Sequence, residues 1–534
     1  MRRKGVLKDL RKAIAVTLVF FAIVECFLRV AFFIRNSMVT YVPLPYVIGD
    51  DYGPLPPWLG SLMILAPDED LIWRNRPNLR RRYVDSFSPV HTDEERTLLL
   101  RRFRPALPNS LKGSPVWEIS LNSEGFRDAE VPERKPASAF RILCLGDSWT
   151  FGMNVGQEQT YPQRLKALLR EEFPEVDFEV FNRGVLGYSS YQGLELLRRR
   201  AIDLNPDVVV IGFAMNDAKV NGYRDKDMAA YEKNLTLRTR IGRFLEKIET
   251  YKLLEYLALV LKHKPKSIGD RLKEKADSAE GAEGKKDFEK LEPWTRVSLG
   301  DYEKNILEMI HLARSRQASV VLLYNELLKD GPYRVVLEKI SRSEGVPLVD
   351  SSALIAEARR KMEVELEGEL DFGLVRTGRT LANGEIEVVF RVYLGKSPVP
   401  KAMYIVGAHP KLGDLVPNKV AMYDDGTHGD QRADDTVWTY SATFSPGTTL
   451  FYVYTNSGEE RKWEGLDVPC IREFKVEAKD NEEKVYRPIE SFGRIYMQAD
   501  SWHTDASGYE LIAKALLEVL KQNEKLKEHV HHKG

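Results

Sequence analysis

Apolar and polar positions follow three successive patterns along this chain. The first is one nearly unbroken apolar block, residues 13–34, reading AIAVTLVFFAIVECFLRVAFFI. At about 1.5 Å rise per residue, it predicts a helix that can cross a hydrocarbon core of about 30 Å. Glu25 and Arg29 interrupt the block four residues apart, a spacing that pairs them on one helix face. The second pattern starts near residue 140, where short apolar runs alternate with helical stretches. RILCLG (141–146), FEVF (178–181), DVVVIGF (207–213), SVVLLY (319–324) and VPLVD (346–350) read as strands. Tyr161–Glu172, Tyr191–Ile202 and Asp301–Arg316 read as helices between them. Buried strands alternating with helices predict a parallel sheet covered on both faces.

From about residue 370 the grammar changes to short alternating or aromatic-rich runs separated by Gly, Pro, Asn and Asp. EIEVVFRVYL, KAMYIVGA, KVAMYDD, WTYSATF and LFYVYTN predict a β-sandwich. A helical stretch follows at Ala506–Gln522, with Leu511, Ile512, Ala515, Leu516 and Leu520 on one face. An α/β-type helix after a sandwich implies that the sandwich is inserted into the α/β domain. The expected organisation is a basic tail and membrane helix over 1–35 and an irregular lead-in over 36–135. The α/β domain follows over 136–365, the sandwich over 366–480, a final α/β block over 481–525 and a tail over 526–534. Residues 264–293, charged and rich in Ala, Glu and Lys, read as a solvated insertion, with a lid as the functional alternative.

Length and composition narrow the field. The 534 residues allow two to four domains, and 43% apolar content excludes wholesale disorder. Lys plus Arg and Asp plus Glu are equal at 79 each, so no basic excess supports a nucleic-acid partner. Cys26, Cys144 and Cys470 lie too far apart for a metal-ligand pair or a disulfide framework. The charge is unevenly placed, however. Arg2, Arg3, Lys4, Lys8, Arg11 and Lys12 precede the apolar block against Asp9 alone, and only Arg35 is basic between the block and Asp50. The positive-inside rule therefore puts the N-terminus in the cytoplasm and the rest outside it, in the periplasm or at the cell surface. The block is long for a signal-peptide core, and no small-residue cleavage site follows it.

The first α/β strand ends in Gly146-Asp147-Ser148-Trp149-Thr150-Phe151-Gly152. A serine just past a strand end lies where ligands bind in open parallel sheets. A nucleophilic serine needs a base, usually histidine. Of nine histidines, His529, His531 and His532 fall at the C-terminus, and His503 stands just before the last helix in Asp500-Ser501-Trp502-His503. Asp500 can reach the ring nitrogen turned away from the serine and orient the imidazole. Equally, Asp500 can cap a turn and His503 can be polar surface. Gly184, in Asn182-Arg183-Gly184, follows the second strand, and Asn216, in Ala214-Met215-Asn216-Asp217, follows the third. A backbone N–H and a side-chain amide there suit an oxyanion. Their structural alternatives are a turn glycine and a loop-start or cap asparagine.

In this order the four blocks resemble the SGNH (GDSL-type) hydrolase family. The resemblance implies a three-layer α/β/α fold around a parallel sheet, to which the pattern read above adds the inserted β-sandwich and the transmembrane helix in front. It implies Ser148, Asp500 and His503 as the catalytic triad. The N–H groups of Ser148 and Gly184 and the side chain of Asn216 would form the oxyanion hole, with no metal or cofactor. Ala214 stands where the family usually has Gly, and its methyl would tighten the pocket wall or shift the Asn216 loop. Asp147 and Thr150 take turn and packing roles. Asn122-Ser123-Glu124-Gly125-Phe126-Arg127 looks like the lead-in of membrane-anchored bacterial members.

The sandwich resembles a starch-binding-like carbohydrate-binding module of immunoglobulin-like type, through YIVGAHPKLGDLV (403–415), MYDDGTHGDQRADDTVWTY (422–440) and Trp463-Glu464-Gly465. Trp463 and Trp438 are then the sugar-stacking candidates, and the alternating strand around Trp438 favours core packing instead. The acidic run Asp424–Asp430 with Asp434 and Asp435 is oxygen-rich enough for Ca²⁺, but it lacks EF-hand spacing, and Asx-type turns fit it better. Gly395-Lys396-Ser397 lacks the rest of a P-loop. The expected function is a serine esterase acting on an acylated carbohydrate. An acyltransferase using the same triad and a glycan-binding protein with a decayed site are the alternatives.

Overall fold

The computed structural model describes residues 2–37, 42–43, 63–84, 116–132, 134–220, 223–234, 236–262, 295–327, 331–369, 384–394, 400–456, 472–476, 484–486, 489–492, 497, 499 and 502–531. The apolar block lies within one continuous helix, α1 (Arg2–Ser37), in which Arg29 Nε donates to Glu25 Oε1 at 2.8 Å, as the spacing predicts. The lead-in, expected to be irregular, instead carries strands β1 (Val42–Pro43), β2 (Leu65–Asp68), β3 (Ile72–Asn75), β4 (Arg80–Val84) and β5 (Val116–Ser120). β2 and β3 form an antiparallel hairpin, and β4 pairs with β1 and β5. Leu79 and Tyr83 point into the protein while Arg80 and Arg82 face solvent. The alternation is real, and the density of arginine hid it.

The buried runs near residue 140 and beyond form the expected sheet. In chain order the elements are β6 (Ala139–Gly146), α2 (Ser148–Phe151), α3 (Tyr161–Glu172), β7 (Asp177–Gly184), α4 (Ser190–Leu196), β8 (Val208–Gly212), α5 (Met215–Ala218), α6 (Asp225–Lys233), α7 (Leu237–Leu245), α8 (Glu249–Lys262), α9 (Leu299–Ser315), β9 (Ser319–Tyr324), α10 (Pro332–Glu344), β10 (Leu348–Asp350) and α11 (Ser351–Glu369). The strands pair in the order β10-β9-β8-β6-β7, all parallel. Successive residues serve opposite layers, as strand geometry requires. Leu143, Leu145, Val209 and Ile211 pack on α9 and α10, while Ile142, Cys144, Val208 and Val210 pack on α3 and the last long helix, α12 (Ala506–Lys521). The helix expected at Tyr191–Ile202 is α-helical only to Leu196, then widens over Leu197–Ala201 and tightens over Ile202–Leu204. The insertion 264–293 lies outside the described residues.

The sandwich comprises β11 (Ile386–Tyr393), β12 (Met403–Gly407), β13 (Val420–Met422), β14 (Val437–Phe444), β15 (Thr449–Thr455), β16 (Arg472–Lys475), β17 (Lys484–Tyr486) and β18 (Glu490–Ser491). One sheet has the order β14-β11-β17 with β18 also on β11, and the other runs β13-β12-β15-β16. Val388, Phe390 and Val392 meet Ile405, Tyr452 and Tyr454 in its core. Its boundaries differ from those expected. α11 continues to Glu369, and β17 and β18 pair in parallel with β11, so the sheet extends past residue 480. Such two- and three-residue strands carry no alternation that a sequence pattern can register. The expected C-terminal tail begins inside a helix, α13 (Glu524–His531), which buries Leu526.

Candidate active site

The chain crosses from β6 to β7 on one side of the sheet and returns to β8 on the other. This topological switch opens a crevice beyond the strands' C-terminal ends. Ser148 enters it at the start of α2. Asp147 caps that helix, its Oδ1 accepting the Trp149 N–H at 2.9 Å. The buried Arg127 holds the other end, donating to the carbonyls of Gly152 at 2.6 Å, Val155 at 2.7 Å and Glu118 at 3.2 Å. Thr150 Oγ1 meets Tyr161 Oη at 2.9 Å, the packing role expected of it.

His503 Nε2 lies 2.7 Å from Ser148 Oγ, and both residues are buried. His503 is therefore not polar surface, which rejects the alternative reading of that residue. The loop carrying it is closed by Ala499 N–H to His503 O at 2.9 Å and by Thr504 Oγ1 to Met497 O at 2.6 Å. Asp505 caps α12. The fully buried Trp149 ring backs the imidazole at 6.5 Å between centroids. Asp500 lies outside the described residues.

Of the three expected oxyanion donors, Asn216 and Gly184 behave differently from each other. Asn216 is buried at the start of α5, and its Nδ2 donates to Asp147 Oδ2 at 3.3 Å, beside the Ser148 turn. Ala214, in the position where the family usually has glycine, is fully buried, and its methyl packs into the core. Gly184 is a correction. Its N–H already donates to Asn182 Oδ1 at 2.9 Å, and a Cβ there would stand 2.1 Å from the Phe151 nitrogen. Glycine at 184 is required so that β7 can lie against α2. Three residues on, Gly187 has φ +75, which favours glycine, and among the described residues its N–H has no acceptor. Its carbonyl accepts from Arg296 Nη1 at 2.7 Å. The residues around this loop carry no motif letter, so a sequence pattern could not choose between the two glycines.

The lead-in motif clamps the two halves of the crevice together. Asp128 accepts the Asn182 N–H at 2.8 Å, and Arg183 pairs with Glu124 at 3.0 Å while its guanidinium lies 4.2 Å from the Phe126 ring centroid. From β3, Trp73 Nε1 donates to Leu186 O at 2.9 Å and Asn75 Nδ2 donates to Gly184 O at 3.1 Å. Three carboxyls near the crevice are pushed up to about 7, each chiefly by burial: Asp147, Asp217 and Glu326. At Asp147, the Trp149 N–H, His503 and Asn216 pull the other way without prevailing.

Residues 144–368 match the GDSL-like Lipase/Acylhydrolase family. This segment is a GDSL-type hydrolase domain. The chain is a serine ester hydrolase. The family match stops where the GDSL domain gives way to the sandwich, so it ends before His503. No curated protein matches the chain. Among solved structures, an acetylxylan esterase from Geobacillus stearothermophilus is 16% identical, with 40% of this chain and 77% of that one covered and a TM-score of 0.23. A protein of the G-D-S-L lipolytic family from Desulfitobacterium hafniense is 13% identical, covering 40% and 79%, with a TM-score of 0.22. A family 15 glucoamylase from Hypocrea jecorina is 16% identical over 22% of this chain and 18% of its own, with a TM-score of 0.17. At such scores none of these likenesses says what the GDSL domain acts on.

Outside the GDSL domain, Trp438 packs half-buried against the sandwich core, as its alternating strand predicts, and Trp463 lies outside the described residues. The acidic run is a hydrogen-bonded loop with an Asx-type turn at Asp425. Asp424 accepts the N–H groups of Asp435 and Thr436, both at 3.1 Å, and Asp425 accepts that of Thr427 at 2.9 Å.

Three outcomes are expected. Asp147→Asn keeps an oxygen for the Trp149 N–H but turns an amide toward Asn216 Nδ2. In ester turnover, kcat should fall by about 10²-fold, the scale of one lost oxyanion donor. The same variant should flatten the pH profile of stability. Below about pH 4 Asp147 is protonated both folded and unfolded, and above that only the native state keeps the proton. Stability therefore declines as pH rises toward about 7, and melting curves of the variant should show a shallower decline. Separately, Arg127→Met strands several buried carbonyls and should lower stability by at least about 2 kcal/mol, measured by denaturant unfolding.

Proposed function

We propose that the chain is a membrane-anchored, extracytoplasmic esterase that removes O-acyl groups, O-acetyl in particular, from a cell-surface glycan through an acyl-enzyme on Ser148. The observation that carries this reading is the 2.7 Å contact between Ser148 Oγ and His503 Nε2 at the open end of the sheet. His503 takes the hydroxyl proton as Ser148 Oγ attacks the ester carbonyl, then returns it to the departing sugar oxygen. Water, deprotonated by His503, cleaves the acyl-enzyme. General-base help of this kind is worth about 10²–10⁴-fold. Asp500 would steady the imidazole from its other side. The oxyanion would be met by the Ser148 N–H, the Asn216 amide and, in place of Gly184, the N–H of Gly187.

The substrate class rests on two further features. α1, apolar over Lys12–Ser37 and almost entirely exposed there, suits a bilayer. The basic N-terminus suits a cytoplasmic start, which leaves the hydrolase outside. The sandwich, with its resemblance to carbohydrate-binding modules, supports a glycan as the acyl carrier.

Purified full-length protein incubated with O-acetylated oligosaccharides should release free acetate, and Ser148→Ala should reduce release to background with its melting curve intact. Acetate release by Ser148→Ala at the wild-type rate would sink the assignment. An acetylated sugar product in place of free acetate would establish transfer instead of hydrolysis. For the oxyanion loop, Gly187→Ala places a Cβ at φ +75 and 3.5 Å from the Trp73 ring, a site with room for it. The strain costs about 1–2 kcal/mol. It tilts the amide, so kcat should fall while KM holds, and unchanged kcat would remove Gly187 from the oxyanion site.

A further inference from the structure

Two charged residues stand inside the apolar block of α1, and both are engaged by the junction between α7 and α8. Glu25 accepts the N–H groups of Glu249 at 3.0 Å and Thr250 at 2.9 Å, and the Thr250 hydroxyl at 3.0 Å. Arg29 Nη2 donates to Lys247 O at 2.7 Å. A helix start leaves backbone N–H groups without intrahelical acceptors, and a bilayer offers no water to satisfy them. Glu25 supplies that acceptor from within the apolar stretch itself. The contact fits a helix junction drawn into the membrane beside α1.

The outward surface of α7 and α8 fits the same place. On α7, Ile241 and Phe244 are exposed, the latter at 64%. On α8, Leu254, Leu257 and Leu261 are exposed, Leu261 at 87%. A soluble surface rarely offers a contiguous apolar face of this kind. Over 237–247 the sequence has Arg238, Arg240, Arg243 and Lys247 against Glu246 alone, a balance that suits anionic headgroups.

We propose that α7 and α8 form a second membrane contact, lying in the leaflet crossed by the C-terminal half of α1 and facing anionic lipid. This rests on the reading of α1 as a membrane anchor. The α7–α8 pair directly precedes the 264–293 insertion and follows α5, which carries Asn216. The bilayer surface would therefore restrain the segment that leads away from the oxyanion side of the crevice. The class of partner is a lipid surface, not a protein.

The test uses the full chain reconstituted in phosphatidylcholine vesicles with and without phosphatidylglycerol, containing an acyl-chain nitroxide lipid. In a Cys26→Ser, Cys470→Ser background, the buried Cys144 is left in place. An environment-sensitive fluorophore is attached singly at Val19→Cys on α1, Ile241→Cys, Leu257→Cys, or Val335→Cys on α10, which is exposed and remote in sequence. Retained esterase activity shows that each labelled protein is folded. The proposal expects loss of fluorescence at Ile241 and Leu257 but not at Val335, with deeper loss at Ile241 when phosphatidylglycerol is present. Fluorescence at Ile241 and Leu257 matching that at Val335 overturns it. If those two probes are shielded from aqueous iodide yet unquenched by lipid, a protein covers the face and the proposal falls as well. Val19 reports the anchor separately. Quenching there without quenching at Ile241 leaves the anchor standing and rejects the second contact. Quenching at Ile241 without Val19 keeps the lipid face and rejects the anchor. Quenching at none of the three rejects both.

Discussion

The contact between Ser148 and His503 joins residues 355 positions apart, and the architecture around the crevice serves to hold it. A hydrogen bond between two side chains is worth only about 1 kcal/mol net, too little to bring distant segments together. Packing sets the distance instead. α3 and α12 share one face of the sheet, with Tyr161, Leu165 and Leu169 meeting Tyr509, Ile512 and Leu516 in a common core. Arg164 and Glu510 pair across the same interface. Because α12 starts at the Asp505 cap, two residues after His503, fixing the helix fixes the imidazole. Ser148 is fixed in turn by Arg127 and Asp147 at the two ends of α2.

Much of this support comes from outside the segment that matches the hydrolase family. Arg127, Asp128, Phe126 and Glu124 precede residue 144, as do Trp73 and Asn75, while His503 follows residue 368. The lead-in is therefore a structural part of the site. It binds α2 through Arg127 and β7 through Asp128, so the Ser148 turn and the glycine loop are held relative to each other by a third element. Arg296 adds a fourth restraint. It donates to Gly187 O, to both carboxylate oxygens of Asp225 and to Gln192 Oε1. The loop in which Gly187 sits is thus gripped from both sides while its N–H stays without an acceptor among the described residues, a preorganised arrangement of the kind that electrostatic catalysis requires.

The readable parts of the sequence were those where one force dominates. Strands buried on both faces show as unbroken apolar runs, and SVVLLY at 319–324 and the helix Tyr161–Glu172 match the observed elements end for end. Ser148, His503 and Asn216 were legible because each sits directly beyond a strand or before a helix. Gly184 was misread because donor availability depends on a side chain two residues away. Whether the Gly184 N–H is free is decided by Asn182 Oδ1, and no spacing rule contains that information. The lead-in strands were missed because a half-exposed strand can place arginine at every outward position and lose its hydrophobic contrast. The limits of the sandwich were missed because β17 and β18 owe their pairing to β11, far off in sequence, and not to their own composition.

The position of the sandwich follows from the same mechanics. It interrupts the chain after α11, the last hydrolase element before the sandwich, where the hydrolase sheet is already complete. Closing a longer loop there costs little, since the entropy grows only with the logarithm of length, roughly 0.6 kcal/mol per doubling. The placement of the returning segment is what cannot be relaxed, because an error of about 1 Å at the base can cost 10²-fold in rate. The structure meets this by making the return self-sufficient. Thr504 to Met497 and Ala499 to His503 close the loop locally, Asp505 starts α12, and the apolar face of α12 docks on α3. These contacts hold His503 from within the returning segment and α3. An inserted domain could be lost, exchanged or enlarged at this point without displacing His503, provided the stretch from Met497 to Lys521 is kept whole.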